Sequence, residues 1–194
     1  MKKNRDVRMP SINQIEAERQ KIDYKQRFRK TMTSTVSILI VVAAAAVLIS
    51  TIFLPVLQVS GSSMTPTLSD GDILVLFNSK NYERGDLCCV SWGNKKLLKR
   101  VIGLSGDEIV MDIDGNVYVN DQLLDEPYIS DKALGECDIE FPCIVPDGSV
   151  FILGDHRTTS VDSRNSAIGC VSNEQISGRV IFRAWPLKEG FKIE

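Results

Sequence analysis

The stretch LLKRVIGLSGDEIVMDIDGNVYVN, Leu97 to Asn120, decides the fold class. Three short runs, Leu97–Leu104, Glu108–Ile113 and Asn116–Asn120, are separated by Gly106-Asp107 and Asp114-Gly115. Each run has the length and the Val, Ile and aromatic content of a β-strand, and Gly and Asp are residues that turn a chain sharply. Asp114-Gly115 is predicted to close a two-residue hairpin between MDI and NVYVN. The same texture continues in both directions. Ile73–Phe77 and Leu87–Trp92 precede the stretch, and Ser149–Leu153 and Gly178–Trp185 follow it. Asp70-Gly71, Gly85-Asp86 and Asp147-Gly148 punctuate them. Beyond residue 57 no helical period is sustained, apart from a short candidate near Ser172–Ile176. The expected class is mainly antiparallel β, a barrel-like or sandwich domain over residues 58–194.

Upstream the texture is different. From Thr31 to Ser69 there is no charged side chain, and Ser34 to Leu54 (STVSILIVVAAAAVLISTIFL) is overwhelmingly apolar. At ~1.5 Å per helical residue such a run covers ~30 Å, the thickness of a bilayer's hydrocarbon core. A transmembrane anchor is expected over residues 31–57, with Pro55 marking its outer end because proline is poorly suited to continue a helix. Residues 1–30 carry ten Lys/Arg and four Asp/Glu, leaving thirteen Lys/Arg and twenty-one Asp/Glu for the rest. A basic tail beside an acidic body suits nucleic acid or a membrane. The adjacent apolar span selects the membrane, and no nucleic-acid partner is expected. The positive-inside rule then predicts a cytoplasmic N-terminus and an extracytoplasmic β domain, with one pass through the plasma membrane. The apolar run exceeds the ~7–15 residues of a cleaved secretory signal, so an uncleaved anchor is expected. Residues 11–30 carry Ile12, Ile15, Ile22 and Phe28 among charges; an interfacial helix and a disordered tail both fit this pattern.

Five cysteines are present. Cys137 and Cys143 flank a short loop containing Pro142 and are candidates for a bridge. Cys88 and Cys89 read as buried thiols, and Cys170 is left over. His156 is the single histidine, and no cysteine pair has zinc-ligand spacing with it, so neither metal nor cofactor is expected.

Three segments carry candidate chemistry: VSGSSMTPTL (Val59–Leu68), LLKRVIGLSGD (Leu97–Asp107) and LGDHRTTSVDSR (Leu153–Arg164). A serine hydroxyl is a weak nucleophile and needs a base. Ser63 with His156 and an aspartate is a formal option, but nothing besides Asp155 and Arg157 marks that histidine. Lysine serves instead if its amine is neutral, which burial achieves by penalising the charged form. Lys99 lies among Leu97, Leu98, Val101 and Ile102, a setting suited to a desolvated amine. A hydroxyl of Ser160 or Ser163 is expected to satisfy it.

Together these segments resemble the boxes of bacterial type I signal peptidases (peptidase family S26), of the single-anchor, Gram-positive-like kind. GSSMTPTL is similar to the nucleophile box, where the serine before methionine matches Ser63. KRVIGLSGD resembles the general-base box, whose lysine matches Lys99. GDILV, Gly71 to Val75, resembles the strand between them. GDHRTTSVDSR resembles the last box. There Ser160 matches the serine that orients the lysine, and Asp162 and Arg164 match a supporting ion pair, with Asp155 in the same box. The departures are His156, Thr158 and Thr159 in that box and Ser105 where proline is usual.

The resemblance implies a membrane-bound serine endopeptidase that removes signal peptides from exported preproteins, cutting after small residues at −1 and −3. It also implies an oxyanion held by the Ser63 N–H and a donor near Gly61, where some members carry a serine hydroxyl. Met64, Pro66, Leu68 and Phe77 have two readings, a lipid-facing strip beside the substrate cleft or ordinary packing. Self-cleaving repressor-type peptidases share the Ser–Lys chemistry but carry a DNA-binding helix pair where this chain has an apolar span. A sortase-like enzyme needs a cysteine setting that Cys88 and Cys89 lack. A tethered peptide-binding domain would keep the fold without needing Ser63 or Lys99.

Overall fold

The computed structural model describes Met9 and residues 11–187. One helix, α1, runs from Ile12 to Phe53. It is continuous from Ile12 through Lys30, so that part of the basic segment, open to either helix or disorder in the sequence, is helical, and residues 1–8 and 10 lie outside the described residues. Tyr24 and Phe28, one turn apart, stack with ring centroids 6.4 Å apart. One 18-residue window of α1 has a mean hydropathy of 2.8, long and apolar enough to cross a membrane. The chain divides into two compact units, one up to Ile49 and one from Ser50 onward.

Among the described residues, the second unit is built from eleven antiparallel strands in two sheets. Six belong to the first half of the chain's β region: β1 (Val56–Gln58), β2 (Ile73–Phe77), β3 (Leu87–Trp92), β4 (Lys95–Gly103), β5 (Glu108–Met111) and β6 (Val117–Val119). The others are β7 (Gln122–Leu123), β8 (Cys143–Ile144), β9 (Ser149–Leu153), β10 (Val171–Ser172) and β11 (Ile176–Trp185). The larger sheet has the order β1-β2-β11-β3-β4-β9-β10, and the smaller has β7-β6-β5-β8. The mainly antiparallel class expected from the sequence is the one observed. β1, β7, β8 and β10 were not foreseen, because strands of two or three residues carry too few side chains for a period. The candidate helix near Ser172–Ile176 is absent: Val171 and Ser172 pair with Val150 and Ser149, and Ile176 already pairs with Val90.

The hairpin turns also differ from expectation. Asp112 N–H donates to Asn116 O and Gly115 N–H donates to Asp112 O. The loop is thus the three residues Ile113–Gly115, with Gly115 at φ 83 supplying the left-handed residue that such a loop requires. The two-residue hairpin lies farther on. Val119 pairs with Gln122, and Asn120 and Asp121 have φ of 52 and 64, the positive pair of a type I′ turn. An Asn-Asp pair reaches this conformation at low cost because both side chains tolerate it.

β3 and β4 position the chemistry. Cys89 and Leu98 face each other and enter a cluster with Met64, Leu68, Leu74 and Leu76. Cys88 enters another with Val90, Val101 and Ile152. β4 is therefore covered on both faces, and every residue from Leu98 to Gly103 is buried. A strand covered on both sides reads as a continuous apolar run, as LLKRVIG nearly does. The two charged residues of that run, Lys99 and Arg100, are carried inside with it.

Two further sequence readings are corrected here. The cysteines are all free, and Cys137 Sγ donates to Ile139 O while Cys143 faces Cys170, so Cys137 and Cys143 are not bridged. Met64 and Leu68 are buried core residues, not part of a lipid-facing strip; Pro66 and Phe77 are exposed. The turn from Ser62 to Leu68 explains the split. Leu68 N–H donates to Met64 O, so these two residues lie one helical turn apart and point the same way, into the core.

Candidate active site

The loop carrying Ser63 is a closed structure. Val59 N–H donates to Asp72 O and Gly71 N–H to Val59 O, joining its ends. Gly61 N–H donates to Asp70 Oδ1 at 2.8 Å and Ser69 N–H to Asp72 Oδ2 at 3.0 Å. With Met64 and Leu68 anchored in the core, Ser63 is held half-buried at the rim. The Gly61 amide, engaged by Asp70, is not free as the second oxyanion donor in this arrangement.

β4 brings Lys99 to this loop. Its Nζ lies 2.9 Å from Ser63 Oγ, across 36 residues of sequence. The lysine is 2 % exposed. Burial is the largest influence on it and lowers its pKa from the ordinary 10.5. Asp162 and Asp155 oppose that shift, and the positive charge of Arg164 adds to it. Desolvation dominates because water can no longer solvate the ammonium. A neutral amine at this distance is within reach of the serine proton. That is the geometry of a nucleophile with its general base.

The segment from Gly154 to Arg164 forms the floor. Asp162 and Arg164 make a two-pronged ion pair, Nε to Oδ1 and Nη2 to Oδ2, both 2.8 Å. Asp162 Oδ2 also accepts the Gly154 N–H at 2.9 Å. Asp155 faces Arg100, which donates from Nε to Oδ1 at 2.9 Å and from Nη2 to Oδ2 at 2.7 Å. Thr67 Oγ1 donates to the same Asp155 Oδ2 at 2.5 Å, which ties the nucleophile loop to the floor. His156 contributes its backbone: its N–H donates to Ser63 O at 3.1 Å. Its ring faces Thr159 and Thr158, with Nδ1 at 2.7 Å from one hydroxyl and Nε2 at 3.3 Å from the other. The imidazole is thus occupied away from Ser63 Oγ, and the serine–histidine option lacks its central contact.

Ser160 departs from expectation. Its Oγ is buried without a hydrogen-bond partner, and Lys99 is paired with Ser63 instead. Ser163 Oγ accepts the Ile152 N–H at 2.9 Å. Ser160 Oγ nevertheless lies in the floor beside the nucleophile loop. A Cβ placed on Gly154 would come within 2.0 Å of Ser160 Oγ and 2.7 Å of Ser63 O. Only a residue without a side chain permits this approach.

Several contributors escaped the sequence reading. Arg100 also donates to Gly85 O at 2.9 Å and sits 3.8 Å over the Tyr128 ring. Arg157 and Glu126 form a fully buried ion pair, and Tyr128 O–H donates to Glu126 at 2.9 Å. Arg157 Nε also holds Gly154 O at 3.2 Å. Arg100 adjoins Lys99 inside an apolar run, which was a usable signal. Glu126 lies in a loop with nothing to mark it.

A serine hydroxyl beside a buried lysine on a β scaffold, with no other base in hydrogen-bond contact with it among the described residues, is an arrangement that suits a serine hydrolase. Comparison with known proteins narrows the class. The family described as "Signal peptidase, peptidase S26" matches residues 32–185. Signal peptidase I of Bacillus licheniformis is 35% identical over 166 residues, covering 79% of this chain and 88% of its own. Signal peptidase I of Bacillus caldolyticus is 39% identical over 148 residues, covering 68% and 79%. A signal peptidase I crystal structure from Enterococcus faecalis V583 is 27% identical, covers 51% of this chain and 96% of its own, and gives a TM-score of 0.42. The chain belongs to the signal peptidase, peptidase S26 family: it is a serine peptidase that removes signal peptides. Its N-terminal apolar helix fits a single-pass membrane anchor.

Proposed function

We propose that Ser63 is the nucleophile and Lys99 the general base of this signal-peptide cleavage. The observation that carries the proposal is the 2.9 Å separation of Lys99 Nζ and Ser63 Oγ, with the lysine buried. Neutral Lys99 takes the hydroxyl proton as Ser63 Oγ attacks the scissile carbonyl. The tetrahedral oxyanion gathers on the Ser63 N–H and a second donor. Such donors each contribute about 3–4 kcal/mol to the barrier reduction. Lys99 then protonates the leaving amine, the acyl-enzyme forms, and the same amine activates the water that releases it. Ser160, whose hydroxyl is buried in the floor without a partner, is the group proposed to orient Lys99 once Ser63 Oγ is engaged in the reaction, and Asp155, Asp162 and Arg164 hold that floor in place through their ion pairs.

The substrates are preproteins with small residues at −1 and −3, because narrow pockets reject bulky side chains sterically. The charge asymmetry around α1 supports a cytoplasmic N-terminus and a catalytic domain on the outer side of the plasma membrane, beside the bilayer that holds the substrate.

The test uses full-length chain in detergent with a preprotein, the product read by N-terminal sequencing. Wild type cleaves after a small-x-small motif, and Ser63→Ala, folded by circular dichroism, does not. Equal cleavage by both dismisses Ser63 as nucleophile.

A further inference from the structure

Of the five thiols, Cys88 and Cys89 are fully buried, and Cys137 Sγ donates to Ile139 O. Cys143 and Cys170 meet each other, with Sγ atoms 3.9 Å apart. Cys143 opens β8 and pairs with Ile109 of β5 in the smaller sheet. Cys170 precedes β10, whose Val171 pairs with Val150 in the larger sheet. Both are half-buried against one core cluster, so a small reagent reaches them. A disulfide has an S–S length of ~2.05 Å and Cα atoms about 4.4–6.8 Å apart. Thiols in van der Waals contact need about 2 Å of further approach to reach that length. The span between these cysteines contains β9 and the whole floor from Gly154 to Arg164.

We propose that Cys143 and Cys170 form a disulfide, a modification site that joins the two sheets and closes a covalent ring around the segment bearing Asp155, Ser160, Asp162 and Arg164. The electron acceptor is another disulfide, small or protein-borne; a catalytic domain on the outer side of the membrane is in a compartment that provides one. Cys143 thiolate attacks a sulfur of oxidised glutathione and releases one glutathione thiolate, which takes up a proton. Cys170 then loses its proton and attacks the Cys143 sulfur of the mixed disulfide, releasing the second glutathione. Two protein thiols are oxidised and one glutathione disulfide is reduced to two thiols. Burial, and next the charge of Cys143, push the Cys170 thiol up.

The test incubates full-length chain in detergent with a glutathione redox mixture and maps the peptides without reduction. A Cys143–Cys170 linked peptide is expected, together with a thermal midpoint raised by about 5–10 °C. Dithiothreitol reverses both changes, and neither occurs in Cys143→Ser or Cys170→Ser. The Ser63→Ala variant oxidises like wild type, since the pairing does not depend on the proposed catalytic roles. A Cys137–Cys143 peptide in its place, or only glutathione adducts, overturns the proposal.

Discussion

Replacing Gly154 by alanine tests whether the floor and the nucleophile loop act as one rigid unit. The added Cβ would stand 2.0 Å from Ser160 Oγ, 2.5 Å from Ser160 Cβ and 2.7 Å from Ser63 O. Ordinary contact begins near 3.4 Å. The hydroxyl can swing away, but the other two atoms are fixed close to the backbone. They must retreat by 0.9 Å and 0.7 Å, the differences between 3.4 Å and those distances. Gly154 lies outside the left-handed region, so the effect is steric alone. Ser63 O belongs to the residue that carries the nucleophile, and it also accepts the His156 N–H. The displacement therefore reaches the reacting pair. A misplacement of about 1 Å costs on the order of 10²-fold, equal to about 2.7 kcal/mol of barrier. Overpacking costs a further ~1–3 kcal/mol of stability. The assay is kcat/KM on a signal-peptide substrate in detergent, well below the thermal midpoint, with unfolding followed in parallel. An alanine variant within about threefold of wild type would refute the claim that this close approach positions Ser63.

Other outcomes follow from the buried charges. Lys99 has a lowered folded pKa, so below 10.5 and above that folded value the unfolded chain binds more protons than the native one. Native stability therefore rises with pH through this window, and the penalty fades as pH approaches the unfolded value. Lys99→Met abolishes cleavage yet raises the thermal midpoint near neutral pH, and its advantage shrinks by pH 10; a destabilised variant at pH 7 would contradict this reading. Wild-type kcat/KM rises with pH through the folded Lys99 pKa, since only the neutral amine is a base; a profile flat from pH 6 to pH 10 would argue against lysine. Glu126→Gln leaves Arg157 buried without its counter-charge and is expected to cost about 3–5 kcal/mol in denaturant unfolding. The pair Glu126→Leu with Arg157→Met restores most of that loss.

The amino-acid sequence alone determined the fold class and the family resemblance. Within the uncharged run from Thr31 to Ser69, the apolar stretch Ser34 to Leu54 read as a helix, because one long enough to span a membrane needs no partner to be recognised. The strands Ile73–Phe77, Leu87–Trp92 and Ser149–Leu153 were legible to the residue because their composition and flanking turns are local properties, while the two longest, β4 and β11, each begin two residues earlier than the sequence suggested. Ser63 and Lys99 stood out by their settings and by the resemblance of the segments around them. Tertiary structure decided what depends on residues distant in sequence. The partner of Ser63 lies 36 residues away, and that of Asp155 lies 55 residues away. Local periodicity holds no record of either distance. It likewise could not say that Cys143 meets Cys170 instead of Cys137, or that Met64 and Leu68 turn inward. These choices are set when the sheets fold and their core clusters pack, where packing density and the cost of burying unpaired polar groups select one arrangement.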